Sequence, residues 1–109
     1  MRITVVDVPN LARFELRIED EVVGRASYHV TDDAMTLPYT EVDPQLHGRG
    51  LGTILVRGVL ATARQRHLRV LPYCPFVRRH LRTHPEELDL VTEADRALFG
   101  LPTAQPNQA

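Results

Sequence analysis

A mixed α/β fold is predicted, with four antiparallel strands followed by a helix, a parallel fifth strand and a second helix. Three features predict it. The first forty residues read as β-rich segments separated by short turn clusters. A glycine-rich turn at residues 47–52 then opens a stretch whose apolar residues recur at helical spacing. One short apolar run and a second helix-like segment follow. At 109 residues, 43% hydrophobic and 25% charged, the chain suits one globular core.

Each element follows from a local pattern. Residues 3–6 are a β-branched run closed by Asp7, Pro9 and Asn10. In residues 13–19, Phe14, Leu16 and Ile18 alternate with Arg13, Glu15, Arg17 and Glu19, the two-residue period of a half-buried strand. Asp20 and Glu21 make a tight turn, and residues 22–30 return as a third strand with Gly24 as a thin spot or bulge. A turn at 31–33 leads to a fourth strand over 35–43. Pro38 cannot donate to a ladder, so this strand is locally broken or bulged. Leu51, Ile54, Leu55, Val59 and Ala63 mark a helix over 50–66, with Arg64, Arg66 and His67 at the end that favours positive charge. Residues 68–73 form a short buried strand stopped by Pro75, and 76–83 a helix ending near His84-Pro85. Thr92 with Asp95 resembles a capping box for a last short helix reaching Phe99. Successive hairpins make the first four strands antiparallel, and a right-handed helical crossover sets the fifth parallel to the fourth. Residues 1–99 are expected to form a single domain and 100–109 a flexible tail.

Composition removes several functions. No apolar stretch approaches the ~20 residues of a membrane span, and acid and proline interrupt the N-terminal segment where a signal peptide would be apolar. A soluble cytoplasmic protein is expected, with no membrane partner. Cys74 is the single cysteine, which forbids an internal disulfide. Cys74, His80 and His84 fall short of the four ligands of a structural zinc, so no metal is expected. Lysine is absent, which excludes a Schiff-base mechanism. The net charge of -1 hides an asymmetry: residues 1–47 hold four Arg and nine acids, 48–84 eight Arg and no acid, 85–109 one Arg and five acids. The carboxylate-free stretch suits a polyanionic ligand; alternatively its arginines pair with the acidic flanks in the fold.

A glycine-rich turn between a strand and a helix presents backbone N–H groups to an anion, and the helix dipole adds partial positive charge. Gly48, Gly50 and Gly52 carry no side chains to obstruct approach, and Arg49 adds a full charge. No Gly-Lys-Ser/Thr follows, so this is no Walker loop. A dinucleotide-binding turn would close the first strand of a parallel unit, whereas antiparallel strands precede this one. Taken alone, the loop also fits a tight turn that merely needs glycines.

In combination these features are more specific. A strand entering Glu41-Val42-Asp43-Pro44, then Leu46-His47-Gly48-Arg49-Gly50-Leu51-Gly52, an amphipathic helix, a short strand and a second helix together resemble the GNAT superfamily of N-acetyltransferases. Its signature at this turn is Gln/Arg-x-x-Gly-x-Gly/Ala. Gly50 and Gly52 match the two small positions, and His47 stands where Gln or Arg is usual. The chain is most similar to the small single-domain members, which carry a Thr-Glu-Val-like segment before the loop and a Cys early in the last core helix. Here these are Thr40-Glu41-Val42 and Cys74, followed by His84-Pro85-Glu86. The resemblance covers roughly residues 12–91.

The resemblance implies acetyl-CoA as cosubstrate and an amine, small molecule or protein, as acceptor. The pyrophosphate would sit on the amides of Gly48, Arg49, Gly50, Leu51, Gly52 and Thr53, with His47 also among the cofactor-binding residues although its departure from Gln or Arg weakens a side-chain contact. The pantetheine arm would follow Glu41 and Val42, where the fourth strand splays from the fifth, with Cys74 beside the acetyl group. Transfer needs a base for the amine, a donor for the oxyanion and an acid for the thiolate. Glu41 is placed to act as base, directly or through water, or else points to solvent. His80 stands where many members carry a thiolate-protonating Tyr, and an exposed helix histidine is its alternative. Cys74 either carries the acetyl group transiently or packs against pantetheine, with a buried inert cysteine as its alternative. Tyr39 is a further candidate, with packing as its alternative. The short segment from Asp7 to Leu11 leaves no room for the helices that shape the acceptor site in larger members, so that cleft is open or completed by a partner. Two other function classes remain: a non-catalytic acyl-CoA-binding module, and a nucleic-acid binder using the basic 48–84 stretch. The second is disfavoured by the scarcity of stacking aromatics, Tyr73 and Phe76, and by the lack of a recognition helix. Neither the acceptor nor the oligomeric state is specified by the sequence.

Overall fold

The computed structural model describes residues 1–103. In chain order the elements are strands β1 (Ile3–Val8), β2 (Arg13–Ile18), β3 (Glu21–Thr31) and β4 (Ala34–Val42), helix α1 (Leu51–Gln65), strand β5 (Arg69–Leu71), and helices α2 (Pro75–Thr83) and α3 (Glu93–Phe99). The strands form one sheet in the order β1-β2-β3-β4-β5, antiparallel through β4 and parallel between β4 and β5. This is the mixed sheet the sequence predicts, with α1 as its crossover.

Alternation along the strands decides which face is covered. Phe14 and Leu16 of β2, Ala26 and Tyr28 of β3, Met35 and Leu37 of β4 and Val70 of β5 are buried against α1 and α2. From α1 come Leu55, Val56, Val59 and Leu60, and from α2 Val77 and Leu81. Each fully buried Val, Leu, Phe or Met among them stabilises the fold by about 1.5–3 kcal/mol. Ile54, expected on the same stripe, is 38% exposed instead. The opposite face of β2, β3 and β4 carries Arg13, Glu15, Arg17, Arg25, Tyr39 and Glu41. Glu15 is buried there because Arg17 and Arg13 each grip one of its carboxylate oxygens, at 2.7 and 2.6 Å. Those hydrogen bonds hold its carboxyl below the usual carboxylate range.

Several boundaries differ from the sequence expectation, each for a local reason. β1 runs on to Val8 because Asp7 and Val8 pair with Phe14 and Arg13. The first hairpin turns at Glu19 and Asp20, both at positive φ, 52° and 73°, as a two-residue type I′ loop requires; Glu21 already pairs with Ile18. Val23 is the extra residue of a bulge beside Gly24. β5 is only three residues long, ending before Pro72 and not at Pro75, and α2 begins at Pro75, one residue earlier than expected, because a helix tolerates proline in its first turn. Three short 3-10 segments, each opened by proline, were not foreseen: Pro9–Leu11, Pro44–Leu46 and Pro85–Leu90. Thr92 caps α3 as expected, its hydroxyl accepting from the Asp95 N–H at 3.1 Å. Leu101 is buried in the core, so packing continues past Gly100, where the tail was expected to begin. The rest of that expected tail, residues 104–109, lies outside the described residues. No helix among the described residues is long and apolar enough to cross a membrane.

Candidate functional site

The site begins with a strand that loses one neighbour. β4 pairs with β5 only through Ala34, Met35 and Thr36. Leu37 and Pro38 then stand opposite the single residue Tyr28, the bulge the proline predicts. The Cys74 N–H donates to the Leu37 carbonyl at 2.8 Å, at the vertex where β4 leaves the segment after β5. Beyond that bond, residues 39–42 are paired with β3 alone. Alternate N–H and C=O groups on their other edge face no strand.

The chain after β4 turns this edge into a cleft. The Asp43 N–H donates to the Val23 carbonyl at 2.8 Å. His47 Nε2–H donates to the Val42 carbonyl at 2.8 Å, drawing the loop back onto the strand end. Gly48 and Gly50 adopt positive φ, 84° and 75°, a conformation that favours glycine. A Cβ on either would meet nothing within 4 Å, so the space above the loop is open. Helix α1 starts at Leu51, behind Gly50 as its N-cap, with no side-chain cap and no acid in its first turn. Its first N–H groups, from Leu51, Gly52 and Thr53, therefore have no intrahelical acceptor. Gly52 serves a different purpose from the other two: a Cβ there would lie 2.7 Å from Phe76 Cζ, so its missing side chain seats the aromatic ring of α2 against α1.

The resulting cleft encloses about 550 Å³. Of the residues expected around the cosubstrate, Glu41, Val42, His47, Gly48, Gly50, Leu51, Gly52 and Thr53 line it. Arg49, Cys74 and His80 do not. Tyr39, Thr40, Pro44, Leu46 and Phe76 complete the wall. Thr40, Pro44 and Leu46 of these belong to the motif that carries the resemblance, and only Tyr39 was a catalytic candidate. Its two-residue spacing from Glu41 is the signal that both side chains share a face, whereas Phe76 is brought in by packing between helices.

Glu41 is held by two donors. Tyr39 donates its hydroxyl to Glu41 Oε1 at 2.7 Å, and the Arg25 guanidinium lies 3.4 Å from the same oxygen. The Tyr39 hydrogen bond, with Arg25 behind it, holds the carboxyl below the usual range. The same bond pushes the Tyr39 phenol up. Glu41 is therefore ionised at neutral pH and Tyr39 stays protonated. Tyr39 is 53% exposed, which rules out the packing role considered for it.

The other two candidates lie deeper. Cys74 is 3% exposed, packed in the core at the vertex. His80, for which an exposed helix position was the alternative, is 5% exposed. Its ring stacks on His84, centroids 4.0 Å apart, and its Nε2 is buried without a hydrogen-bond partner. Burial, then the neighbouring His84, pushes the His80 imidazole below its ordinary value. Charged neighbours come from α1 (Arg57) and from the Pro85–Leu90 segment (Glu86 and Glu87). Among the described residues no group of three His, Cys, Asp or Glu side chains could hold a metal ion.

The basic stretch divides. Arg64 pairs with Asp89 and Glu87, and Arg69 with Asp33 and Asp95, so part of it answers the acidic flanks. Arg78 donates to the Pro72 and Tyr73 carbonyls, and Arg79 lies over the Phe76 ring. This spreads the arginines over several faces.

The family model of the GCN5-related N-acetyl-transferases matches residues 13–90. A GCN5-like protein from Staphylococcus aureus, solved by NMR, is 22% identical and aligns over 84% of this chain and 87% of its own, with a TM-score of 0.61. The ribosomal-protein-S18-alanine N-acetyltransferase of Escherichia coli is 25% identical over 53% of this chain and 38% of its own, with a TM-score of 0.51. The present chain thus spans well under two thirds of that enzyme. A GNAT family acetyltransferase from Brucella melitensis, in complex with acetyl-CoA, is 22% identical over 62% of this chain and 50% of its own, with a TM-score of 0.50. The curated proteins give no match. The family match runs from β2 through the glycine loop and both core helices, and the chain belongs to the GCN5-related N-acetyltransferase family.

Proposed function

We propose that the protein transfers the acetyl group of acetyl-CoA to an amine by direct attack on the thioester. The observation that carries this is one cleft walled by the unpaired edge of β4 and by the uncapped, acid-free N-terminus of α1. A pantetheine arm carries amides that can pair with a strand edge, and its pyrophosphate needs N–H donors at the distance of the loop. The open space above Gly48 and Gly50 fits that group. Family membership supports the same ligand, as does the acetyl-CoA held by the Brucella relative.

In this reading the amides of residues 50–53 hold the pyrophosphate, and the edge of residues 39–42 orients the pantetheine. Glu41 faces the acceptor side and takes the amine proton, directly or through water. The amine nitrogen then attacks the thioester carbon, the C–S bond breaks, and the CoA thiolate leaves and is protonated. No step is assigned to His80, which does not line the cleft.

The test couples binding to turnover. Acetyl-CoA at a hundredfold its dissociation constant should stabilise the fold by about 2.7 kcal/mol, read as a rise in Tm. Free thiol should appear when amines are added. Gly50→Glu should abolish both, because it places a carboxylate at the helix N-terminus and a side chain at a φ of 75°. An unmoved Tm overturns the proposal; a moved Tm without thiol release from any amine leaves an acyl-CoA-binding module.

A further inference from the structure

We propose that Tyr39 and Arg25 are positioning residues that fix Glu41 by one carboxylate oxygen and leave the other to meet the acceptor amine. The inference deepens the acetyl-transfer reading and rests on it. Tyr39 and Arg25 both address Oε1, at 2.7 and 3.4 Å. Oε2 accepts no hydrogen bond from the described residues, whereas Oε1 accepts the Tyr39 hydroxyl and lies nearest Arg25.

The strand register builds this arrangement. Arg25 is the direct cross-strand partner of Glu41, and Tyr39 precedes Glu41 by two residues on the same face. Arg25 also has an acid on its other side, because Glu15 is its partner on β2. That acid is already occupied: Arg13 and Arg17 take one oxygen of Glu15 each. Arg25 is therefore left to β4, reaching Glu41 and, at 3.9 Å, Asp43. The buried Glu15 cluster thus keeps Arg25 directed toward the cleft.

The consequence is chemical. A carboxylate gripped on one oxygen is fixed in rotation and presents the lone pairs of its other oxygen to an incoming ammonium group. The Glu41 side chain is 41% exposed, and β1 and β2 are joined by only the three-residue 3-10 segment Pro9–Leu11. The acceptor class that fits is a primary amine arriving in its charged form, with Oε2 receiving its N–H. Tyr39, half exposed beside the carboxylate, flanks the same approach.

The experiment is a ¹³C-NMR titration of the Glu41 side-chain carboxyl in wild type, Tyr39→Phe, Arg25→Gln and Arg25→Lys. The expected result is an upward move of the Glu41 midpoint in Tyr39→Phe and Arg25→Gln, and a smaller one in Arg25→Lys, which keeps the charge. In the thiol-release assay, with acetyl-CoA and a lysine-containing peptide as probe, the acidic limb of kcat/KM should move with that midpoint. A Glu41 midpoint identical in wild type and Tyr39→Phe overturns the proposal, as does an acidic limb that stays in place while the midpoint moves. A wild-type protein that fails to bind CoA overturns the acetyl-transfer reading instead, and leaves the carboxylate arrangement visible in the titration.

Discussion

The two halves of β4 differ in one respect, and the difference separates structure from function. Residues 34–36 have a strand on each side, β3 and β5, and Met35 at their centre is fully buried. Residues 39–42 have β3 on one side and a cleft on the other, and Tyr39 is half exposed. Between them sit the Leu37–Pro38 bulge and the bond from Cys74 to the Leu37 carbonyl. A proline that removes one ladder donor and one extra residue that re-aims the strand are enough to convert a core strand into an open edge.

The two halves should respond differently to substitution. The largest effect is expected in the closed half. Met35→Ala should cost about 2–5 kcal/mol in urea unfolding, through lost transfer energy and a residual cavity. Tyr39→Ala, in the open half, should change stability by no more than about 0.5 kcal/mol. Equal losses would show that the open half is as integral to the core as the closed one.

A second, smaller effect concerns the packing behind the cleft. His80 is buried beside His84 with its value pushed down, so its contribution to stability is complete above the ordinary histidine value of 6.5 and is lost as pH falls through its lowered folded value. The urea midpoint should therefore decline from about pH 7.5 to 5.5, and His80→Leu should flatten that slope. CoA affinity should be insensitive to His80→Leu, since His80 is absent from the cleft wall. A CoA affinity that collapses in this variant would move His80 into the site.

The smallest effect sharpens the boundary of the open half. His47 Nε2–H holds the Val42 carbonyl at 2.8 Å, at an exposed position. His47→Ala should cost about 0.5–1.5 kcal/mol of stability, the net value of one hydrogen bond, and weaken CoA binding severalfold. Calorimetry with CoA beside denaturant melts reads both. If affinity is unchanged, the bond closes the loop without shaping the ligand site.

Much of the scaffold was legible because its signals are local. The two-residue alternation of Phe14, Leu16 and Ile18 marks β2, Pro38 announces its bulge, and Thr92 with Asp95 marks the start of α3. The hairpin at Glu19 and Asp20 was misread by one residue because acidic residues at positive φ carry a weaker signal than the Asn-Gly pairs usual there. Around the cleft, the loop from His47 to Gly52 was legible and its far wall was not. Phe76 is distant in sequence from Gly52, and only the packing of α2 on α1 brings its ring to that glycine.

The sequence by itself determined the order of strands and helices, the place of the glycine turn and the family. Periodicity, proline and glycine act within a few residues, so their effects can be read without coordinates. Tertiary structure alone decided which candidates reach the cleft. Glu41 does, because the register of β3 and β4 sets it beside Arg25 on the uncovered face. Cys74 and His80 do not, because core packing buries both away from the cleft wall. A side chain's chemical type is written in the chain, but its exposure and its partners depend on strand register and helix packing between residues far apart in sequence.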